Sequence, residues 1–277
     1  MRLAYRVGMR LAWCTDIHLD HLTPAGRVRF AEKVRESGCD ALVLTGDLSH
    51  APLLRSHLVD LARALARPVY FVLGNHDFYE GSIEEVRADV RALCAGDPWL
   101  RYLPDAGPFA LDGETVLLGV DGFGDGRLGR VIETPIVLND HLLIRELAGL
   151  PRARLAARLA DLGDAEARTL EALLARVGHA RRVVVATHVP PFRESTWHEG
   201  APSDDDWLPF FSCKAVGDVL RAHRAAFPAR SLTVLCGHTH GAGVVAIDER
   251  LVVHTGGAQY GEIALAGVLD TTRATLL

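Results

Sequence analysis

At 277 residues, 49% of them hydrophobic, the chain can bury a sizeable core, as one large α/β domain or as two small ones. A formal net charge of -5 leaves no basic excess, which argues against a surface built to hold polyanions and makes nucleic acid an unlikely partner. The five cysteines, Cys14, Cys39, Cys94, Cys213 and Cys236, are scattered without a C-x-x-C pair, which argues against a disulfide frame or a thiolate zinc site, and no stretch approaches the ~20 apolar residues of a membrane span. The expectation is a soluble cytoplasmic protein.

In chain order, Met9-Arg10-Leu11 echoes Met1-Arg2-Leu3, so the first eight residues read as an upstream start without a structural role. From Met9 to Leu93 strands and helices alternate, which predicts parallel strands with crossover helices. The strands are Leu11 to Thr15, Ala41 to Leu44 and Val69 to Leu73; the helices are Val28 to Glu36, Leu53 to Ala66 and Ser82 to Leu93, the last opened by a capping box of Ser82 and Glu85. Leu100 to Leu103, Pro108 to Leu111 and Thr115 to Val120 read as short antiparallel strands of a second sheet. Gly124 to Gly129 matches G-x-G-x-x-G, but the β-branched run and Thr134-Pro135 after it argue against the helix that a dinucleotide site needs. Asp121 and Asp125 loosely resemble a calcium loop whose final Glu is replaced by Ile132. Leu138 to Gly178 predicts two or three helices broken at Pro151 and Gly163. A strand at Val183 to Thr187 leads into a polar and aromatic loop, Pro190 to Ser212, of a length that is usually functional. There Trp197, His198, Trp207 and Phe210 suggest an aromatic lid or an anchor, and Asp204 to Asp206 a solvated run or a specificity element. A helix at Val216 to Phe227, a strand at Leu232 to Cys236 and hairpin strands at Val244 to Ile247, Leu251 to His254 and Ile263 to Leu269 close the chain. With no linker or repeat, one domain over 1–277 is the simplest account.

Five of the strands run into side chains that bind metals: Asp16-Ile17-His18, Gly46-Asp47, Gly74-Asn75-His76-Asp77, His188, and Gly237-His238-Thr239-His240. Alternation on an extended backbone would turn Asp16 and His18 to one side and Ile17 to the core. Each motif alone has an ordinary explanation as a turn or a satisfied polar group. Five such strand ends together point to one metal site, because open α/β sheets bind ligands beyond the carboxyl ends of their strands.

With these motifs complete and in order, the sequence resembles the calcineurin-like metallophosphoesterase superfamily, in the form of its phosphodiesterase-type members. The resemblance implies a four-layer α/β/β/α sandwich of two mixed sheets flanked by helices, with a dimetal site at the C-terminal strand ends. It implies one ion held by Asp16, His18, Asp47 and His240 and another by Asp47, Asn75, His188 and His238. The mixed nitrogen and oxygen donors suit Mn, Fe, Zn or Co. It further implies hydrolysis of a phosphoester by a hydroxide bridging the ions and attacking phosphorus in line, with His76 stabilising or protonating an oxygen and Asp77 orienting His76. Spacing alone does not separate His76 from the ligands. Gly46-Asp47-Leu48-Ser49-His50 lacks the Arg-Gly extension of the Ser/Thr protein phosphatases, and Asp77 stands where those have Glu, so the substrate expected is a phosphodiester of a small molecule or nucleotide. The competing readings are a phosphomonoesterase or protein phosphatase, a DNA-repair-type nuclease, and a non-catalytic scaffold. The acidic balance weighs against the nuclease, and the complete set of ligands weighs against the scaffold.

Overall fold

Leu11, Trp13, Val43 and Val72 bury in one apolar cluster, while their neighbours Ala12, Cys14, Leu42, Leu44 and Phe71 bury in another. This period of two means that the strands are covered on both faces, one by a second sheet and the other by helices. The computed structural model describes residues 8–262, 264–272 and 275–276, so the echoed start at 1–7 and Ile263 lie outside the described residues. Fourteen strands are described: β1 Arg10–Cys14, β2 Ala41–Thr45, β3 Val69–Val72, β4 Leu100–Tyr102, β5 Phe109–Ala110, β6 Thr115–Gly119, β7 Arg182–Ala186, β8 Trp197–His198, β9 Ala201–Pro202, β10 Ser231–Cys236, β11 Gly243–Asp248, β12 Leu251–Thr255, β13 Gly267–Asp270 and β14 Thr275–Leu276. The α-helices are α1 Pro24–Glu36, α2 Ala51–Leu65, α3 Ile83–Gly96, α4 Leu103–Ala106, α5 Asp140–Leu143, α6 Arg152–Leu174, α7 Leu208–Phe211 and α8 Lys214–Ala226.

Two six-stranded mixed sheets face each other, ordered β14-β13-β1-β2-β3-β4 and β11-β12-β10-β7-β6-β5. Leu11, Trp13 and Val43 of the first meet Leu117, Val184 and Leu235 of the second, and each fully buried side chain of this size is worth about 1.5–3 kcal/mol. Helices α1 to α3 cover the outer face of the first sheet through Phe30, Leu58 and Val90; α6 and α8 cover the second through Leu170, Leu173, Val216 and Leu220. The result is the expected four-layer α/β/β/α arrangement.

Several local expectations change. Leu100 to Tyr102 does not join the second sheet: β4 runs parallel to β3 at the edge of the first, while β5 and β6 form the antiparallel pair of the second. Gly163 does not break a helix. It lies inside the 23-residue α6, where a Cβ would stand 2.6 Å from Cβ of Asp125, so the glycine admits a loop against the helix at a cost of about 1 kcal/mol relative to alanine. The N-terminal half of α6 buries Leu155, Leu159 and Leu162 with the first sheet's helices and its C-terminal half packs on the second sheet, which is why a single long helix is selected here. Helix α1 begins earlier than its apolar spacing suggests, at Pro24, because the Thr23 side chain accepts from the N–H of Gly26. The 190–212 loop carries the hairpin β8–β9 and the short α7. No described helix is long and apolar enough to cross a membrane, and all five cysteines are free.

Candidate metal centre

Strands β1, β2 and β3 of one sheet and β7 and β10 of the other are parallel within their sheets and end at the same edge of the sandwich. The five motif-bearing ends therefore come from two facing sheets, not from the edge of one. Past β1 and β2 the backbones keep pairing: N–H of Asp16 donates to O of Gly46 at 3.0 Å and N–H of His18 to O of Asp47 at 3.0 Å. The segment is not extended as alternation suggested. Asp16, His18, Asp47, His238 and His240 all have left-handed backbones, with φ of 49°, 37°, 53°, 72° and 57°. Such a conformation costs non-glycine residues on the order of 1–3 kcal/mol each, and it clusters where side chains must be aimed at a site. Ile17 is buried, as expected.

The donors gather in two sets that share Asp47. In the first, one ligand atom each from Asp16, His18, Asp47 and His240 lie within 4.8 Å of one another. His18 Nε2 is 3.4 Å from His240 Nε2 and 3.9 Å from Asp47 Oδ2, and His240 Nε2 is 3.5 Å from Asp16 Oδ1. In the second, His188 Nε2 is 3.3 Å from Asp47 Oδ1 and 3.0 Å from Asn75 Oδ1, and His238 Nδ1 is 3.0 Å from the same amide oxygen. Asp47 thus turns Oδ2 to one set and Oδ1 to the other. Gly74 must be glycine here, since a Cβ would lie 2.2 Å from Asp47 Oδ1.

The partners of these groups fix which atoms face inward. His188 Nδ1 is 2.8 Å from O of Thr45 and His238 Nε2 is 3.1 Å from O of Phe210, so each ring places its proton on a carbonyl and its other nitrogen in the site. Asn75 donates through Nδ2 to Asp140 Oδ1 at 2.8 Å and to Tyr79 at 3.2 Å, which leaves Oδ1 facing inward. Asp16 is held by Thr15 Oγ1 at 2.6 Å and by N–H of His238 at 3.1 Å. Lone pairs of two imidazoles, an amide and a carboxylate converging on one point suit a cation, and the donor chemistry of both sets fits divalent metal ions.

The electrostatics agree. Burial pushes His18 and His238 down to about 4, keeping both imidazoles neutral donors near pH 7. Burial would also lower His188, but Asp47 outweighs it and lifts this ring to about 10. An ion bound at His188 Nε2 would therefore have to displace a proton. Burial pushes Asp47 up, and His188 and His76 more than reverse this, so that it stays ionised well below the usual carboxylate range.

His76 stands beside both sets without joining either. Its Nε2 is 3.8 Å from Asp47 Oδ2, and its ring stacks on Tyr79 with centroids 4.2 Å apart. Asp77 does not orient it. The Asp77 carboxylate accepts from N–H of Leu48 at 2.8 Å, Ser49 at 2.9 Å and Gly74 at 2.8 Å, while His76 Nδ1 has no hydrogen-bond partner. Fully buried between two loops, Asp77 is better satisfied by three amides than by one ring, and it clamps the turn after β2 to the turn after β3.

A pocket of about 420 Å³ opens over the donors, lined among others by His76, Asn139, His198, Phe211 and Tyr260. Trp207 stacks on Phe211 at 5.1 Å and Phe211 meets His238 edge-on at 5.1 Å, so the aromatic residues of the 190–212 loop both anchor it and wall the pocket. The aspartates of that loop are engaged elsewhere: Asp204 accepts from N–H of Asp206 and Trp207 in the turn that leads into α7, Asp205 pairs with Arg193 and Asp206 with Arg130. Asp121 is a buried anchor, accepting from N–H of Leu73 at 2.7 Å and from Arg87 at 2.9 Å.

Asp140, Tyr79 and Tyr260 escaped the reading of the sequence. Tyr260 packs on His18 and His240 with centroids 4.5 and 5.0 Å away, and it follows β12, which is parallel to β10 and ends at the same edge. A sixth strand end running into Gly256-Gly257 was the available signal. Nothing local marks Asp140. Replacing it with alanine is expected to free the Asn75 amide to turn and to weaken metal binding by about 10–100-fold, the usual cost of losing such a partner; metal titration of Asp140→Ala beside Tyr79→Phe checks this, and an unchanged affinity in Asp140→Ala would rule it out.

A family model described as calcineurin-like phosphoesterase matches residues 9–242. Among solved structures, the chain is similar to a phosphopantetheinyl hydrolase from Mycobacterium tuberculosis, at TM-score 0.61 and 16% identity, covering 91% of this chain and 90% of that one. A dimetal phosphatase from Danio rerio aligns at TM-score 0.54 and 15% identity over 90% and 87% of the two chains. A protein of Thermus thermophilus, TT1561, aligns at 0.56 and 16% over 98% and 97%.

Proposed function

This chain belongs to the calcineurin-like phosphoesterase family and is a metal-dependent phosphoester hydrolase; we propose that its substrate is a phosphodiester carried by a small molecule or nucleotide. The observation that carries the diester reading is the charge of the pocket. Among the described residues lining it, none is lysine or arginine, and Asp140 and Glu199 are present. A monoester brings nearly two negative charges at neutral pH and a diester one, so the absence of guanidinium or ammonium partners costs the diester less. Tyr260, Phe211 and His198 offer rings on which a base or aryl group can stack.

The family typically binds two divalent metals, which supply Lewis acidity toward phosphoryl oxygens and a water of lowered pKa. In our reading Asp16, His18, Asp47 and His240 hold one, and Asp47, Asn75, His188 and His238 the other. Asp47 fixes the spacing of the two sets through its two oxygens. Asp140 and the carbonyls of Thr45 and Phe210 hold the amide and the two imidazoles in orientation. His76 faces the pocket and donates from its ring to a phosphoryl or leaving oxygen, while Asp77 keeps the turn that carries it against the Asp47 turn. Residues 1–277 act as a single domain in this reading, supported by donors drawn from both sheets.

The test is hydrolysis of bis(p-nitrophenyl) phosphate beside p-nitrophenyl phosphate, with manganese-reloaded protein. We expect kcat/KM for the diester to exceed that for the monoester at least roughly tenfold, about 1.4 kcal/mol of discrimination. Equal values, or a preference for the monoester, would move the substrate class to phosphomonoesters.

A further inference from the structure

A second group of metal-binding side chains lies outside the two donor sets. Asp20 and His21 sit in the 3₁₀ turn Leu19–His21 after β1, and His50 stands at the head of α2. One ligand atom from each lies within 4.8 Å of the others. His21 Nε2 and His50 Nε2 are 3.4 and 3.5 Å from the same oxygen, Asp20 Oδ2. The Asp20 side chain is only 9% exposed, and its other oxygen, Oδ1, is buried without a hydrogen-bond partner. His50 Nε2 is likewise buried without one.

Buried polar atoms left unpaired bear the penalty of their lost hydration, and His50 Nε2, which faces Asp20 Oδ2, is the unpaired atom that calls for a ligand within the group. The spacing indicates which. Two ligands each about 2.05 Å from a tetrahedral ion stand about 3.3–3.4 Å apart, close to what is observed here and longer than a good N–H···O bond. We propose that Asp20, His21 and His50 form a separate site for a third divalent transition-metal ion of the zinc type. Two imidazoles and one carboxylate suit such an ion and leave a position open to water. The site flanks the dimetal centre: the His21 ring is 5.8 Å from that of His18, and the His50 ring 5.8 Å from that of His76. Occupied, it ties the turn after β1 to the head of α2.

The experiment is zinc loading of the full chain, read by metal stoichiometry after desalting and by anomalous diffraction at the zinc edge. The expected result is an anomalous peak bounded by Asp20, His21 and His50, and a loss of one zinc per chain in Asp20→Asn and in His21→Ala. His21 is partly exposed, so its replacement spares the core. A peak at this cluster with none at Asp47 would support the third site and overturn the dimetal assignment, which keeps the two questions apart. Filled Asp47 sites with no peak here, or a stoichiometry unchanged in both variants, would overturn the proposal and leave Asp20 in plain ion pairs with the two histidines.

Discussion

Asp47→Asn is expected to abolish turnover, lowering kcat/KM for a phosphodiester by more than about 10³-fold, and to deplete both metal ions together. The reason is the sharing of one carboxylate: Oδ1 lies 3.3 Å from His188 and Oδ2 3.9 Å from His18, in different donor sets. Losing a mere supporting partner of a ligand costs about 10–100-fold, so losing the charge common to two sets compounds a larger factor twice. The substitution keeps volume and leaves an amide oxygen, so the fold should survive, and circular dichroism would verify that. A second readout follows from protonation. Asp47 is what lifts His188 to about 10, against the effect of burial. With His188 as the ligand proposed above, metal binding in the parent has to displace that proton, so affinity should rise with pH up to about 10 and fall as the solution is acidified. In Asp47→Asn the largest part of that lift is gone, with Asp16 and the Thr45 carbonyl supplying the rest, and the release of protons on metal addition, measured calorimetrically in two buffers, should shrink. A variant that keeps two ions and near-parental turnover would remove Asp47 from the bridging position.

The alternating strands and helices and the motif-bearing strand ends were readable in the sequence because they rest on local signals, whereas the four layers followed from the family resemblance. A run such as Ala41 to Leu44 is too short for a helix and buries on both faces, and each turn beyond such a run carries its own donor. What was not readable rests on contacts between distant residues. Asp140 acts on Asn75 across 65 positions, and its segment has no pattern that a solvated loop would lack. Gly163 reads as a breaker because its reason, the close approach of Asp125, lies in another part of the chain. The left-handed turns at Asp16 and His18 could not be deduced from alternation, which assumes an extended backbone, although Asp and His are among the residues that enter this region most readily. The Asp77 assignment failed for a related reason. Adjacency in Asn75-His76-Asp77 suggested that the carboxylate serves its neighbour, whereas the amides of Leu48 and Ser49, 29 and 28 residues away, take it.

His76→Ala is expected to lower kcat by about 10²–10⁴-fold while leaving metal content unchanged, the range for loss of a positioned proton donor or acceptor. The separation of the two readouts follows from geometry. His76 Nε2 is nearest to the first donor set at 3.8 Å from Asp47 Oδ2, and no pair within either set is built through it. Its ring is held from the side, stacked on Tyr79 and edge-on to His18 at 4.7 Å, so the orientation is maintained by packing and not by Asp77. Two roles remain for the ring, and substrates with different leaving groups distinguish them. If His76 protonates the departing oxygen, the loss should be small for a p-nitrophenyl diester, whose leaving group needs little help, and large for an alkyl diester. If it stabilises charge on the phosphoryl oxygens, the loss should be similar for both. Should His76→Ala lose metal in parallel with activity, the residue belongs to a donor set and the division between ligand and donor is wrong. Should kcat be unchanged for both substrates, His76 is a wall of the pocket and the proton must come from elsewhere.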